Sequence, residues 1–379
     1  MITEKIRCPV FRTRSDILKP DWAKIHEKRK ISVFSLPLIF FSCLYGLGVG
    51  LRNKSLKNKI KDELPGIVVS VGNITAGGTG KTPAVRMLAE WAKAEKFHPA
   101  ILSRGYGGNY KSKVLVVSDK NGIKTGPVEA GDEPCLLAEG LPGVPVVVSK
   151  SRYHAGQLAH EKFGTDFFIL DDGFQHITLK RDFDLVLIDA HNPFGNGRLL
   201  PWGPLREPVG QLIRADAIIF TRAGKINSGD NPVSITEDIC PGLPQFFGDH
   251  LPGNVIFPFK DQVSPPDFLK GKSVAAFAGI ARPEAFKKTL MALGINLVYF
   301  KSFSDHHTFG LDDLKMLMDE KQRSGAEYLL ATEKDWIKLK NIVFEYPDFA
   351  YLTIKFSLLK EENRFFNMLR ERINRSSGK

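Results

Sequence analysis

A glycine-rich segment, TAGGTGKT at 75–82, carries the residue types that bind phosphate. Glycines let main-chain N–H groups converge on one anion, the lysine reaches the outer phosphate oxygens of a nucleotide, and the last hydroxyl suits Mg²⁺. Thr75 stands where the usual G-x-x-x-x-G-K-[ST] pattern has its first glycine. The predicted ATP-binding loop, with Thr82 also as a ligand of Mg²⁺, comprises Thr75, Ala76, Gly77, Gly78, Thr79, Gly80, Lys81 and Thr82.

The segments on either side predict the elements that hold this loop. GIVVSVGN at 66–73 is a short β-branched apolar run, typical of a buried strand. PAVRMLAEWAKAEK at 83–96 has helical periodicity, and Pro83 suits a first helical turn, where a missing N–H costs little. We therefore predict strand, glycine loop and helix, with the positive end of the helix directed at the phosphate.

A second acidic site is needed for a metal ion, and DFFILDDGFQH at 166–176 supplies it. Its apolar part predicts a buried strand, and Asp171 and Asp172 follow at the carboxyl end, where ligands bind in open α/β sheets. We predict that at least one of them is a metal ligand. Further strands at 184–190 and 215–224 continue a doubly wound sheet.

The sequence predicts three parts. With 43% hydrophobic and 25% charged residues the chain is a folded one, which excludes disorder, collagen and a multi-span membrane protein. Residues 62–256 form the predicted nucleotide-binding domain, a P-loop NTPase-like α/β fold with a doubly wound parallel sheet. A Pro-rich segment at 257–268 leads into a second, smaller α/β unit over 257–379. We expect the basic tail at 370–379 to fray.

Positive charge is concentrated in the remaining part, the amino-terminal segment 1–61. The whole chain has a net charge of +11, and this segment alone accounts for +10. A nucleic-acid-binding protein more often spreads basic residues over a face of its folded domain, so nucleic acid is not an expected partner. A basic terminal segment is instead typical of an arm that contacts an anionic surface.

An uncharged apolar run, ISVFSLPLIFFSCLYGLGVGL at 31–51, lies inside this basic arm. Its 21 residues are just enough for a helix to span the hydrocarbon of a bilayer. Because both flanks are basic, neither is expected to cross, and an interfacial membrane-associating helix or shallow hairpin on an anionic membrane surface satisfies both. A singly spanning helix and a helix buried against the protein's own core are the alternatives.

Two families with similar phosphate loops are not supported. The partitioning and septum-site ATPases have a signature lysine where this chain has Ala76. GTPases need an NKxD or TKxD guanine clamp, and TEKD at 332–335 has its lysine one place late.

Seven motifs in order give a strong resemblance, over nearly the whole chain, to the bacterial tetraacyldisaccharide 4'-kinases, the lipid A 4'-kinase family. The motifs are VGNITAGGTGKTP at 71–83, LSRGYGG at 102–108, GDEP at 131–134, LDDGFQH at 170–176, NGRLLPWGPLREP at 196–208, TRAG at 221–224 and SDHHTFG at 304–310. The resemblance implies transfer of the ATP γ-phosphate to the 4'-hydroxyl of an acylated glucosamine disaccharide 1-phosphate lipid. It also implies a peripheral or singly anchored enzyme at the cytoplasmic face of the bacterial inner membrane. No obligate protein partner is evident from the sequence.

The resemblance further implies which residues do the chemistry. Asp132 matches the catalytic aspartate of the family, which accepts the hydroxyl proton, and the histidine paired with it corresponds to His306. His307 is adjacent and remains an alternative. Glu133 is expected to assist the metal, and Lys81 to act on the ATP phosphates. A carboxylate oriented by an imidazole is a workable general base.

Phosphate groups on both substrates require positive charge, and the planar fork of arginine suits them. Arg206 is the choice for the ATP phosphates, with Glu207 near the nucleotide and Arg198 as a competitor for Arg206. The expected acceptor-binding residues are Arg104, Tyr106, Arg152, Gln175 and His176.

Two other functions remain open from the residues alone. One is a soluble P-loop kinase of a small hydroxylated substrate, in which the apolar run is simply buried. The other is a nucleotide-switched membrane adaptor, which hydrolyses ATP without a phosphorylated product.

Overall fold

One mixed sheet of 14 strands runs through the computed structural model, which describes residues 36–57, 59–225, 232–340, 342 and 345–377. The strands are β1 Ile67–Gly72, β2 Pro99–Ser103, β3 Leu115–Asp119, β4 Gly122–Ile123, β5 Val146–Val148, β6 Phe167–Asp171, β7 Phe183–Asp189, β8 Ala217–Thr221, β9 Gln245–Phe257, β10 Gln262–Ser264, β11 Ser273–Ala278, β12 Asn296–Ser302, β13 Tyr328–Thr332 and β14 Phe349–Leu358. The helices are α1 Leu36–Lys57, α2 Lys81–Ala94, α3 Pro127–Ala130, α4 Asp132–Gly140, α5 Arg152–Phe163, α6 Pro232–Ile239, α7 Pro283–Ala292, α8 Leu311–Arg323, α9 Glu333–Leu339 and α10 Glu362–Ser377.

The first half of the sheet is parallel and covered on both faces. Its order is β5-β2-β6-β1-β7-β8-β9, with β3 and β4 antiparallel at the edge. Strand β1 is buried along its length, and its successive side chains alternate between faces: Val69 packs with α2, whereas Val68 packs with α5. Two covered faces explain the continuous apolar runs of these strands. The predicted α/β class and the predicted strands β1, β6, β7 and β8 are observed.

The long strand β9 joins the two halves of the sheet. Its first residues, Gln245–Phe247, pair in parallel with β8. Its later residues pair antiparallel with β14, which leads in turn to the parallel strands β13, β11 and β12. The Pro-rich segment at 257–268 contains β10, which folds back on the end of β9. The domain bounds 62–256 and 257–379 stay a prediction, since one sheet crosses them.

The last helix, α10, returns to the first half of the chain. Phe365, Phe366 and Leu369 belong to the same core cluster as residues of β1 and α2, and the Phe366 ring stacks on Trp91 with centroids 5.4 Å apart. Ile373 is also buried there. The prediction that 370–379 frays is therefore wrong for the helical residues up to Ser377: the tail carries an apolar face that the core covers.

Helix α1 corresponds to the predicted apolar segment, of which residues 31–35 lie outside the described part of the chain. Over Leu36–Leu56 it is long and apolar enough to cross a membrane, and only 11% of its most apolar stretch is buried in the protein. Its exposed large side chains include Leu36, Phe40, Phe41, Leu44, Leu47 and Leu51. These residues leave α1 with a broad apolar surface that the rest of the chain does not cover.

The packing of α10 predicts a large loss of stability on removal of Phe365. This side chain is fully buried and contacts the rings of Phe183, Phe246 and Phe366 edge-on. Because Phe365→Ala leaves a cavity at that junction, we expect the free energy of unfolding to fall by about 3–5 kcal/mol. Urea unfolding followed by circular dichroism measures it, with the exposed Arg375→Ala as the control. A loss under about 1 kcal/mol would show that α10 is only loosely attached.

Candidate active site

The phosphate loop between β1 and α2 is held by the motif at 196–208. Thr75 forms an antiparallel bridge with Leu205, and the N–H of Ala76 donates to the carbonyl of Pro204 at 2.6 Å. A threonine in place of the expected glycine suits this extended, paired backbone. Gly80, directly before α2, has φ 83°, a left-handed conformation that favours glycine.

Asn73 organises the loop, a role that the sequence patterns do not predict. It is fully buried at the end of β1, where its Nδ2 donates to the carbonyl of Thr75 at 2.7 Å. Its Oδ1 accepts from Lys81 Nζ at 3.3 Å, and its carbonyl accepts from Gln175. One amide thus orients both the loop and its lysine. The available signal was a buried-strand pattern that ends in a polar residue just before the loop.

Arg206 reaches the phosphate loop through Asp172. Both carboxylate oxygens of Asp172 lie within 2.9 Å of Arg206 Nη1, and Lys81 Nζ is 3.4 Å away. Burial acts to raise the pKa of Asp172, but these two cations hold it below its usual value. The competing Arg198 is exposed and stacks over the Trp202 ring instead. The geometry therefore brings Arg206, and not Arg198, to the site.

Asp171 ends β6 and is almost completely buried beside Asp172. Its Oδ2 accepts from the Ser103 hydroxyl at 3.1 Å, whereas its Oδ1 is buried with no hydrogen-bond partner in the described structure. Burial, with the neighbouring charges of Glu133 and Asp172, raises the pKa of Asp171 to about 7. An unpaired buried carboxylate oxygen among acidic groups fits a hard cation such as Mg²⁺, which prefers oxygen ligands. Among the described residues, no group of three or more His, Cys, Asp or Glu is already arranged to hold a metal.

Asp132 and His306 meet across the two halves of the sheet. Asp132 is the first residue of α4, and its Oδ2 lies 3.3 Å from Nδ1 of His306 in the loop after β12. His307 points elsewhere: its ring stacks on Phe303, and its Nε2 is 3.0 Å from Asp313 Oδ2. The structure thus brings His306, and not His307, to the aspartate.

The residues expected to bind the acceptor lie in different environments. Arg104 and Tyr106 are exposed on the loop after β2, and 85% of the surface of Tyr106 is accessible to solvent. Arg152 is buried and donates to the carbonyls of Ser149 and Asp171, and burial lowers its pKa to about 10. Arg152 therefore holds the backbone of Asp171 in place through this hydrogen bond.

Gln175 and His176 follow the acidic pair. Besides its bond to Asn73, Gln175 accepts at its carbonyl from Arg52 of α1 at 2.8 Å. His176 Nε2 is 3.3 Å from the Thr178 hydroxyl. Burial, helped by the charges of nearby arginines, lowers the pKa of His176 to about 4, so this imidazole is neutral at pH 7.

Helix α1 packs directly on the loop that carries Arg206, a contact that the sequence patterns do not predict. Tyr45 donates its hydroxyl proton to the carbonyl of Arg206 at 3.0 Å, and Asn53 Nδ2 donates to Glu207 at 3.2 Å. Glu207 is 1% exposed and also pairs with Arg214 at 2.9 Å. Its carboxylate thus joins α1 to the 196–208 loop, next to the nucleotide-binding residues.

Comparison with known proteins identifies the family. The family model for tetraacyldisaccharide-1-P 4'-kinase matches residues 34–374. The chain belongs to this family. It is 42% identical to the tetraacyldisaccharide 4'-kinase of Syntrophus aciditrophicus over 84% of this chain and 88% of that protein. It is also 42% identical to the enzyme of the same name from Pelobacter propionicus, over 81% and 84% of the two chains.

A solved structure agrees with the family assignment. LpxK from Aquifex aeolicus, described as an "apo" form in complex with ATP, superposes with a TM-score of 0.73 and 34% identity. The match covers 90% of this chain and all of that one. The family resemblance and the α/β fold predicted from the motifs are confirmed, whereas the roles of individual site residues stay predictions.

The environment of Asp171 predicts a pH-dependent and metal-dependent stability. A carboxyl whose pKa is raised on folding takes up a proton, so without metal the melting temperature should fall as the pH rises from about 4 through about 7. At pH 8, Mg²⁺ should raise it by a few degrees, because the ion binds the folded state.

Both effects should be lost in Asp171→Asn, and calorimetry with and without Mg²⁺ measures them. The exposed Glu161→Gln on α5 is the matched control. If Asp171→Asn kept the full response to pH and Mg²⁺, the buried carboxylate would not be its source.

Proposed function

We propose that this protein is an ATP-dependent lipid kinase. It transfers the γ-phosphate of ATP to the 4'-hydroxyl of a tetraacylated glucosamine disaccharide 1-phosphate in lipid A biosynthesis. The observation that carries the proposal is the Asp132–His306 pair at the edge of the sheet that also holds the phosphate loop, in a chain of the tetraacyldisaccharide-1-P 4'-kinase family. The names of the relatives support the acceptor.

Positively charged groups in fixed positions bind the phosphates of ATP. The main-chain N–H groups of the glycine loop, the start of α2 and Lys81 bind the β- and γ-phosphates. In the described structure Lys81 and Arg206 both contact Asp172, which holds the two cations close together. Such pre-arranged charge is the main contribution of a protein to phosphoryl transfer.

The acceptor hydroxyl is activated by Asp132. An N–H at His306 Nδ1 donates to the carboxylate and orients it, and the carboxylate accepts the 4'-hydroxyl proton. The sugar oxygen forms its bond to the γ-phosphorus while the bond to the bridging oxygen breaks, and ADP leaves. Asp132 is only half-buried beside the imidazole. Its proposed role therefore does not depend on unusual burial of the carboxylate.

Four residues are proposed to hold Mg²⁺: Thr82, Asp171, Asp172 and Glu133. Bound there with the nucleotide, the ion supplies neutralisation of charge on the phosphate oxygens. The unpaired Oδ1 of Asp171 supports this assignment. Arg152 and Ser103 keep Asp171 in place from the protein side.

The acceptor approaches from the exposed side of the site. Arg104 is proposed to contact the sugar 1-phosphate, with Tyr106 beside it on the same exposed loop. Gln175 and the neutral His176 are proposed to line the same cleft, and the buried Arg152 is proposed to lie at its base. Burial, and after it the charges of Arg152 and Arg104, lower the pKa of His176.

The lipid is delivered at a membrane surface. We propose that α1 lies in the interface with its exposed apolar side in the acyl region and its basic residues on anionic headgroups, at the cytoplasmic face of the inner membrane, where ATP is present. Contacts of Ser42, Tyr45 and Asn53 along the other side of α1 with the folded body favour an interfacial helix over a spanning one.

Lipid phosphorylation is the direct test of this function. Wild type with labelled ATP and acylated disaccharide 1-phosphate in mixed micelles should transfer label to the lipid. Asp132→Asn should lose roughly 10²–10⁴-fold in kcat, the usual contribution of a general base. Phosphorylation of a small sugar alcohol without detergent would favour the soluble kinase instead. ATP hydrolysis with no labelled lipid would favour the adaptor.

The membrane proposal predicts a selective effect of the exposed face of α1. Replacing Phe41, Leu44 and Leu47 together by serine removes three side chains worth roughly 1.5–3 kcal/mol each when buried in an apolar environment. We expect weaker sedimentation with anionic vesicles and a KM for vesicle-borne lipid at least about tenfold higher. The KM for ATP should not change. Serine at the exposed Met291 on α7, which packs in the second half of the sheet, is the control, and unchanged vesicle binding of the triple variant would exclude α1 as the anchor.

A further inference from the structure

Helix α9 lies between His306 and the elements around the phosphate loop. It contains most of TEKD at 332–335, the segment whose spacing does not fit a guanine-binding clamp. Within its own half of the sheet it is anchored by Trp336, which stacks on Tyr351, and by the buried Leu339. Its polar residues face in two other directions.

Toward the first half of the chain, α9 is held by a buried ion pair. Glu333 lies 2.8 Å from Nη1 of Arg86 on α2, and both side chains are only about one-tenth exposed. Nη2 of the same guanidinium donates to the carbonyl of Leu136 on α4. The absence of a side chain at Gly140 is required here, because a Cβ would overlap the guanidinium. One arginine thus joins the helix after the phosphate loop, the helix that begins with Asp132, and α9.

The other end of α9 is tied to α4 as well. Lys340, directly after the helix, donates from Nζ to Oε2 of Glu139 at 2.6 Å. Glu333 is linked to α4 through Arg86, and Lys340 contacts α4 directly, so both ends of α9 are held against α4. These contacts restrict both the distance and the angle of α9 relative to Asp132.

Toward His306, the residue after Glu333 makes the contact. Lys334 Nζ is 3.5 Å from Nε2 of His306 and 3.5 Å from Oδ1 of Asp305. A protonated lysine can only donate, so its hydrogen bond makes His306 Nε2 the acceptor, while the carboxylate of Asp305 lies farther from the same nitrogen, at 3.9 Å. The imidazole proton is then on Nδ1, which faces Asp132. The pairing with Lys334 favours the tautomer that orients the aspartate.

We propose that α9 is the positioning element of the Asp132–His306 pair. Glu333 sets the separation of the two residues through Arg86, and Lys334 sets the tautomer of His306. None of these three residues touches the reacting atoms in this arrangement, so they are positioning residues that act through His306. What the pair does rests on the proposed function, whereas how it is held does not.

A kinetic cycle with His306→Ala tests the proposal. Replacing one partner alone would leave a buried charge unpaired, so the variant is Arg86→Met with Glu333→Met, an apolar pair of similar size. In the wild-type background kcat for lipid phosphorylation should fall roughly 10- to 100-fold, while the KM for ATP changes less than about twofold. In the His306→Ala background the same change should lower kcat by less than about twofold, because the positioned group is absent.

The matched control is Lys272→Met with Glu327→Met. This pair, 3.1 Å apart, joins the amino ends of β11 and β13, at the opposite edge of the same half of the sheet. It should leave kcat unchanged. Equal losses from the Arg86/Glu333 change in both His306 backgrounds, or no loss in the wild-type background, would overturn the positioning role.

Imidazole nitrogen chemical shifts give a readout that needs no kinase activity. With His306 assigned by comparison with His306→Ala, wild type should show the Nδ1–H tautomer, and Lys334→Met should lose that preference. The Arg86/Glu333 variant should shift the same signals. Unchanged signals in both variants would overturn the inference. A wild type with these signals but no lipid phosphorylation would contradict the proposed function alone.

Discussion

The parallel pairing of β1 with β6 is the constraint on which the site depends. Its register places Val71 opposite Asp171, so the strand that enters the phosphate loop and the strand that ends in the acidic pair finish at the same edge. Parallel strands always bring their carboxyl ends together, and both faces of this sheet are covered by helices. A carboxylate at that edge is therefore buried beside Lys81, where hydrogen bonds, cations or protonation must offset its cost in free energy. The two cations on Asp172 and the orphaned oxygen of Asp171 are two consequences of the same burial.

The strand β9 extends this constraint to the rest of the chain. Because it pairs with β8 at one end and β14 at the other, the second half of the sheet is in register with the first. The loop after β12 then faces α4 across a short gap, which the contacts of α9 close. A site divided between two units would otherwise depend on a flexible connection; here a shared strand and the buried Arg86–Glu333 pair supply the rigidity.

Much of the fold was predictable from local patterns, and less of the site was. Strand β1, helix α2 and the acidic end of β6 each have a strong pattern of their own. Helix α10 was not predicted, because its basic sequence resembles a frayed tail. Its apolar face is recognisable only from its packing against Trp91 and Phe183, which are distant in the sequence. The role of Asn73 and the Arg86–Glu333 pair were missed for the same reason. Such contacts are set by tertiary packing, and the spacing of residues along the sequence does not encode them directly.

The position of α1 changes how the charge at the amino terminus should be understood. The sequence alone suggests a basic arm that binds an anionic surface and is separable from a nearly neutral catalytic part of the chain. In the structure, one side of α1 hydrogen-bonds to the backbone of Arg206 and to Glu207, while the other exposes apolar residues. A helix fixed in this way cannot tilt in a membrane without moving the loop that bridges to Thr75. In the proposed membrane-bound state, contact with the membrane would therefore be linked to the geometry of the phosphate loop through the 196–208 segment.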